Sequence, residues 1–143
     1  MGTTNFDAVQ AASLIGNLTG NVAGQVAYTS AARTATAAPG GTTGVIADAG
    51  MLQFVTVTSD DANKVVTLPT PTPGTIVILA NGGTGYELRT SAPATVALNG
   101  GSGANAESAI AANTLVVAIC RTATAWHAFS IVGATLAAVE AAA

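Results

Sequence analysis

Between residues 51 and 133, short runs rich in Val, Ile, Thr and aromatic residues alternate with turns rich in Gly, Asn, Asp and Pro. Many short strands separated by turns at regular intervals are typical of a sandwich or barrel. We therefore expect an all-β fold, either jelly-roll-like or another antiparallel β-sandwich. The candidate strands are residues 51–58, 64–68, 75–80, 86–90, 94–98, 114–121 and 124–132, whereas residues 107–112 receive no assignment.

Two of these runs also predict which side chains are buried. Residues 75–80 are almost continuously apolar, as expected for a strand that is covered on both faces. Residues 86–90 alternate, which places Tyr86 and Leu88 inward and Glu87 and Arg89 outward.

The first 50 residues contain few large apolar groups, so they are predicted to form an extended N-terminal arm and linker (1–50). Asp7 is placed to cap a short helix over residues 8–12. Residues 16–24 repeat a Gly-Asn-apolar-small pattern, which suits an extended backbone lying against another chain. The sandwich domain then spans 51–133, and residues 134–143 form an Ala-rich tail with the propensity for a short helix.

Charge is scarce in this chain. Only 8% of the residues are Asp, Glu, Lys or Arg, against about 25% in typical domains. Because a monomer relies on surface charge to resist association, we expect other subunits to cover much of this surface. The alternative is a Thr- and Asn-rich surface without a partner.

The same composition argues against several other partners. The net charge is −3 and the four basic residues are scattered, so no stripe of positive charge exists for nucleic acid. No apolar run reaches the length that spans a membrane. The N-terminus lacks a basic region followed by an apolar stretch, so no signal peptide is expected.

The residue types that usually carry chemistry are isolated. Cys120 lies in an apolar run and is expected to be a small buried hydrophobe. His127 is the single histidine, which leaves a catalytic base without partners and a zinc site without enough ligands. Asp60 and Asp61 fit a solvated turn better than a calcium cage. We therefore expect no enzymatic activity, no cofactor and no metal.

Two loops share the form Asn-Gly-Gly-x-Gly, at residues 81–85 and 99–103. Neither continues with the Lys-Ser/Thr of a phosphate-binding loop. Asn and Gly readily adopt positive φ, so both loops are predicted to be tight hairpin connections.

Several motifs resemble those of tailed-bacteriophage structural proteins. The repeat at 16–24 resembles short Gly-Asn-x-Thr-Gly repeats of phage fibres and decoration proteins. A second set is similar to small β domains of phage virions, including those of cyanobacterial phages; it comprises residues 66–69, 74–77, 86–90 and 99–101 together with Trp126.

This resemblance implies a head decoration (cement) protein on the capsid exterior, made in the host cytoplasm. Such a protein forms homotrimers of sandwich or jelly-roll domains, and its N-terminal arm reaches across neighbouring copies of the major capsid protein. The expected partners are thus the chain itself and the coat. The residues expected to contact the capsid or another subunit are Phe6, Leu14, Leu18, Val22, Tyr28 and Trp126.

Two other functions compete with this one. A trimeric tail-fibre or tail-tip domain would share the β architecture and bind host surface glycans, but aromatic residues make up only 4% of the chain. A small hydrolase on a β scaffold would need a triad or a carboxylate pair, and the sequence assembles neither.

Overall fold

The computed structural model describes residues 29–37 and 41–131, and within these ranges the chain is built from β-strands. The predicted all-β class is therefore confirmed. A 3-10 helix, Thr42–Gly44, follows the first strand. The strands are β1 (Thr29–Thr34), β2 (Leu52–Thr58), β3 (Val65–Thr67), β4 (Ile76–Asn81), β5 (Tyr86–Arg89), β6 (Ala97–Leu98), β7 (Ser108–Ile110), β8 (Leu115–Thr122) and β9 (Ala125–Ile131).

The described strands form two sheets. The large sheet has the order β1-β2-β4-β8-β9-β6, and the small sheet has the order β3-β5-β7. The strands β1, β2 and β4 run parallel to one another, and β4, β8 and β9 are joined by antiparallel pairs. The pairs β3–β5 and β6–β9 are also parallel, whereas β5–β7 is antiparallel. The pairing is thus mixed, where the sequence predicted antiparallel sheets.

The parallel pairs arise because the chain winds from one sheet to the other and back. Thr29, Gln53 and Val77 are paired in turn along the large sheet, and they are equally spaced in the sequence. Val45, Thr67 and Arg89 are paired in turn along the small sheet, again at equal spacing. Parallel strands need a crossover connection, and here the passage through the opposite sheet supplies it. From β1 to β5, each turn of the chain through both sheets therefore stacks on the turn before it, and we call these turns the stacked coils. The described residues end with the β8–β9 hairpin.

One hydrophobic core lies between the two sheets. Trp126 and Tyr86 are its largest fully buried side chains, and both are 1% exposed. The large sheet contributes alternate residues of its strands, such as Val55, Leu79 and Val116. Period-two alternation produces this arrangement, because successive side chains of a strand point to opposite faces.

The predicted boundary near residue 50 does not match the structure. Thr29–Thr34 already belongs to the fold, since β1 pairs with β2 along its whole length. Ile46 is fully buried in the core. The small residues that suggested a linker instead permit close approach: a Cβ on Gly44 would lie 2.7 Å from the carbonyl oxygen of Val65.

The structure also corrects the predicted orientation of Arg89. Tyr86 and Leu88 point into the core as expected, but the Arg89 side chain is also buried. Its Nη1 lies 3.0 Å from Glu107 Oε1, and its Nη2 donates to the carbonyl oxygen of Ala104 at 3.0 Å. The loop before β7 therefore covers the outward side of β5, which strand alternation alone does not reveal.

The two Asn-Gly-Gly-x-Gly loops differ from each other. Asn99 and Gly100 have φ of 51° and 86°, and Leu98 and Gly101 bond to each other, so the second loop is the tight turn predicted. Residues 81–85 instead join β4 of the large sheet to β5 of the small sheet, so the hairpin prediction was wrong there. None of those five residues has positive φ.

Candidate functional site

The large sheet has a second face, opposite the core, that is apolar as well. Cross-strand registers across β2, β4, β8 and β9 define its three rows of four residues. We call these twelve residues the outer face. The rows are Leu52-Ile76-Ile119-His127, Phe54-Ile78-Val117-Phe129 and Thr56-Ala80-Leu115-Ile131.

Ten of the twelve outer-face residues are apolar and none is an acid, Lys or Arg. A one-sided sheet usually alternates apolar residues toward the core with polar residues toward water. Parallel sheets, by contrast, are generally buried on both faces and read as continuous apolar runs. The outer face has the composition of a surface that is covered.

The most exposed apolar side chains of the outer face lie on β9. Phe129 is 46% exposed and Ile131 is 54% exposed. They pair across the strands with Val117 and Leu115 of β8. Four outer-face side chains on β4 and β8 are half-buried, namely Ile76, Ile78, Val117 and Ile119. Leu115 on β8 and Leu52 on β2 are 37% and 38% exposed. The exposed apolar surface is therefore concentrated at the β8–β9 side of the sheet.

His127 lies on the outer face beside Phe129. Their ring centroids are 5.3 Å apart with an interplanar angle of 60°, an edge-to-face contact. The imidazole is exposed, as the position on a strand face predicted. It adds a polar group at one corner of the outer face, whose other polar residue is Thr56. Arg121 is also exposed and follows Ile119 by two positions on β8, beyond the last row.

Of the six predicted contact residues, only one falls within the described part of the chain. Trp126 is 1% exposed and packs in the core, so the contact role predicted for it is wrong. Its position on β9 alternates with the outward His127 and faces the opposite side. The other five, Phe6, Leu14, Leu18, Val22 and Tyr28, lie outside the described residues, as do the helix expected over 8–12, the repeat at 16–24 and the tail at 134–143.

Cys120 occupies the buried position that the sequence predicted. It lies in the core, and its Sγ donates to the carbonyl oxygen of Thr122 at 3.1 Å. Burial raises the pKa of the thiol, which keeps it in the unreactive protonated form.

The carboxylates are engaged in local structure. Asp60 pairs with Lys64 at 2.6 Å, and this hydrogen bond lowers the pKa of the carboxyl group. Asp61 Oδ1 accepts from the amide of Asn63 at 2.9 Å within the same exposed turn, which is the solvated turn predicted. Asp48 Oδ1 accepts from the amide of Thr70 at 2.8 Å. Burial, and then the negative charge of Glu107, raises the pKa of Glu87.

Two shallow grooves lie at the ends of the large sheet. One is lined by Asp48, Met51, Gln53 and Thr75 among others, and the second by residues of β2 and the 82–84 loop. Within residues 29–37 and 41–131, no three His, Cys, Asp or Glu side chains are grouped closely enough to hold a metal ion. The same residues include no helix of sufficient length and hydropathy to cross a bilayer.

The sequence alone predicts part of the outer face. Residues 75–80 predicted a strand covered on both faces, and residues 115–119 form a similar apolar run. In β9, however, apolar residues do not keep to one face, since Trp126 and Ala128 alternate with the outward residues, so the common face of His127, Phe129 and Ile131 emerges only from the register with β8.

No protein-family model matches this sequence, and neither the curated proteins nor the solved structures include a match.

Proposed function

We propose that this chain is a virion structural protein, a head decoration protein that trimerises on the outside of a phage capsid and pins adjacent coat subunits. The outer face of the large sheet carries this proposal. Ten apolar residues on four adjacent strands leave an apolar surface that subunit contacts would remove from water.

The proposed mechanism is mass action rather than chemistry. A protein that binds only the expanded shell stabilises that shell, by a free energy per site that grows with the logarithm of its concentration relative to Kd. Three linked copies bind with a high effective concentration, so weak individual contacts add up to stable attachment. In this account the segment that precedes β1 reaches the coat protein, while the β fold holds the copies together. No bond is made or broken, so the chain acts without a catalytic residue or cofactor.

Location within the virion tests the proposal directly. Purified particles are labelled with gold-conjugated antibodies raised against residues 29–131, and antibodies against the major capsid protein serve as the positive control. We expect many labels distributed over the head. Labelling that is absent from virions, or confined to the tail, would overturn the proposal.

A binding experiment tests the cementing role separately. Capsids that lack the protein are incubated with the purified chain, and their thermal disruption is followed by light scattering. Expanded capsids are expected to bind the chain and to break at a higher temperature, whereas unexpanded shells serve as the control. Equal binding to both shells, or no shift, would contradict a cement function.

The stacked coils favour a second candidate, a trimeric tail-fibre or tail-tip domain that binds host glycans. Among the described strands, β1 lies at one end of the large sheet. Coils that recur at a constant interval are the kind of repeat that further coils extend along one axis. The same labelling distinguishes the two functions, because a fibre places a few copies at the tail.

A further inference from the structure

We infer that the outer face is covered by further copies of this chain, so that the large sheets of neighbouring copies pack against each other through this surface. The inference rests on the proposed self-assembly and identifies the surface through which the copies would associate. Three observations carry it: the absence of charge on the outer face, its size, and the polar strand at its border.

The charge distribution favours an uncharged partner. A partner that placed a Lys or Asp against these twelve positions would bury that charge without any opposite charge to pair with. Another outer face brings apolar side chains instead, and it is present in every copy of the chain. Aromatic residues such as Phe54 and Phe129 are also enriched at the centres of interfaces.

The size of the outer face fits the centre of an interface. Four strands at a spacing of about 4.8 Å and three rows cover about 20 by 20 Å, or about 400 Å² of sheet plane. Each partner in a standard interface contributes about 800 Å². The outer face therefore supplies the apolar half of such a surface, and a surrounding region must supply the remainder.

The strand next to β2 provides part of this surrounding region, about 100 Å² of sheet plane. Ser30 pairs with Phe54 and Ala32 pairs with Thr56, so the outward residues of β1 continue two of the rows. Thr34 follows them at the end of β1. An apolar centre beside a small polar rim is the usual anatomy of a protein interface.

The test is the molar mass of the purified full-length chain, measured by light scattering during size-exclusion chromatography. The variant Phe129→Ser/Ile131→Ser removes the two most exposed apolar side chains of the outer face. Met51→Ser is the matched control, because Met51 is 53% exposed but lies at the end of the sheet, beside Thr75 and Gly74. Trp126 fluorescence and circular dichroism report whether each variant folds.

We expect the wild-type chain and Met51→Ser to be oligomers and the double variant to be a folded monomer. Loss of two large apolar side chains from each copy predicts a dissociation constant at least about 100-fold higher. A wild-type monomer, a double variant with unchanged mass, or equal dissociation of Met51→Ser would each overturn the inference.

A second pair of variants keeps the test informative if the double variant does not fold. Thr56→Lys places a charge in an exposed position of the outer face, whereas Thr43→Lys places it on the exposed 3-10 helix. Only Thr56→Lys is expected to dissociate the oligomer, and an intact Thr56→Lys oligomer contradicts the inference. If the wild-type chain is a dimer and these variants dissociate it, the interface between copies is supported and the proposed trimer is wrong. If antibodies do not label the virions, the proposed function is wrong. The molar masses of the variants still test the interface in that case.

Discussion

Asn81 is predicted to hold the corner between the two sheets, and its replacement by Ala tests this role. Its Nδ2 donates to the carbonyl oxygens of Thr84 and Ala111, each at 2.9 Å. Its Oδ1 accepts from the amide of Thr114 at 3.0 Å. One amide group therefore links the end of β4 to its own loop and to the segment that leads into β8.

The expected loss follows from these three bonds. A hydrogen bond within a protein contributes about 0.5–1.5 kcal/mol net, and the lower part of that range applies because Asn81 is only half-buried. Asn81→Ala should therefore lower the free energy of unfolding by about 2 kcal/mol. Asn81→Asp should cost at least as much at neutral pH, because a carboxylate cannot donate to the two carbonyl oxygens.

Urea denaturation followed by the fluorescence of Trp126, the single tryptophan, measures both losses. All variants are compared at one chain concentration, because self-association makes stability depend on concentration. Asn63→Ala is the matched control, since the Asn63 side chain donates to Asp61 Oδ1 within the same exposed turn rather than linking separate segments. If Asn81→Ala remains within about 0.5 kcal/mol of wild type, or loses no more than the control, the proposed role is wrong.

Three further predictions concern the small sheet and use the same assay. Glu107→Ala should cost about 2 kcal/mol, because it leaves the buried Arg89 guanidinium without its carboxylate, and Glu107→Gln should cost less. Tyr86→Phe should stabilise the chain, since the buried hydroxyl has no hydrogen-bond partner among the described residues. Burial also raises the pKa of Tyr86, so wild-type stability should fall as the pH rises above about 10, and this fall should be smaller in the variant. Gly85→Ala should cost about 2 kcal/mol because its Cβ would lie 2.5 Å from the Ile110 carbonyl oxygen, whereas Gly83→Ala, with nothing within 4 Å, should cost less than half as much.

Local patterns predicted most strands after residue 50 but not β1 or β7. β1 consists of Thr, Ser, Ala and Arg, which lack the large apolar groups that identify a buried strand. β7 is a strand of only three residues, too few for any period to be visible. The parallel register was also beyond reach, because it depends on the return of the chain after a full coil rather than on neighbouring residues.

The candidate surface was predicted only in part. The scarcity of charge predicted that something covers this protein, and residues 75–80 predicted a strand buried on both sides. The contact role of Trp126 was wrong because a bulky aromatic residue suits a core and an interface equally well, and only its burial distinguishes the two. The grouping of Phe54, Ile78 and Phe129 depends on pairing between distant strands.

The mass of the native protein in solution shows whether copies of this chain associate through the outer face. Sedimentation equilibrium of the wild-type chain should give three times the chain mass of 13.8 kDa. Because the outer face carries no acid, Lys or Arg, this mass should not change between low salt, about 50 mM, and high salt, about 500 mM. A mass of 13.8 kDa at every concentration, or an oligomer that dissociates as salt increases, would contradict an apolar interface between copies of this chain.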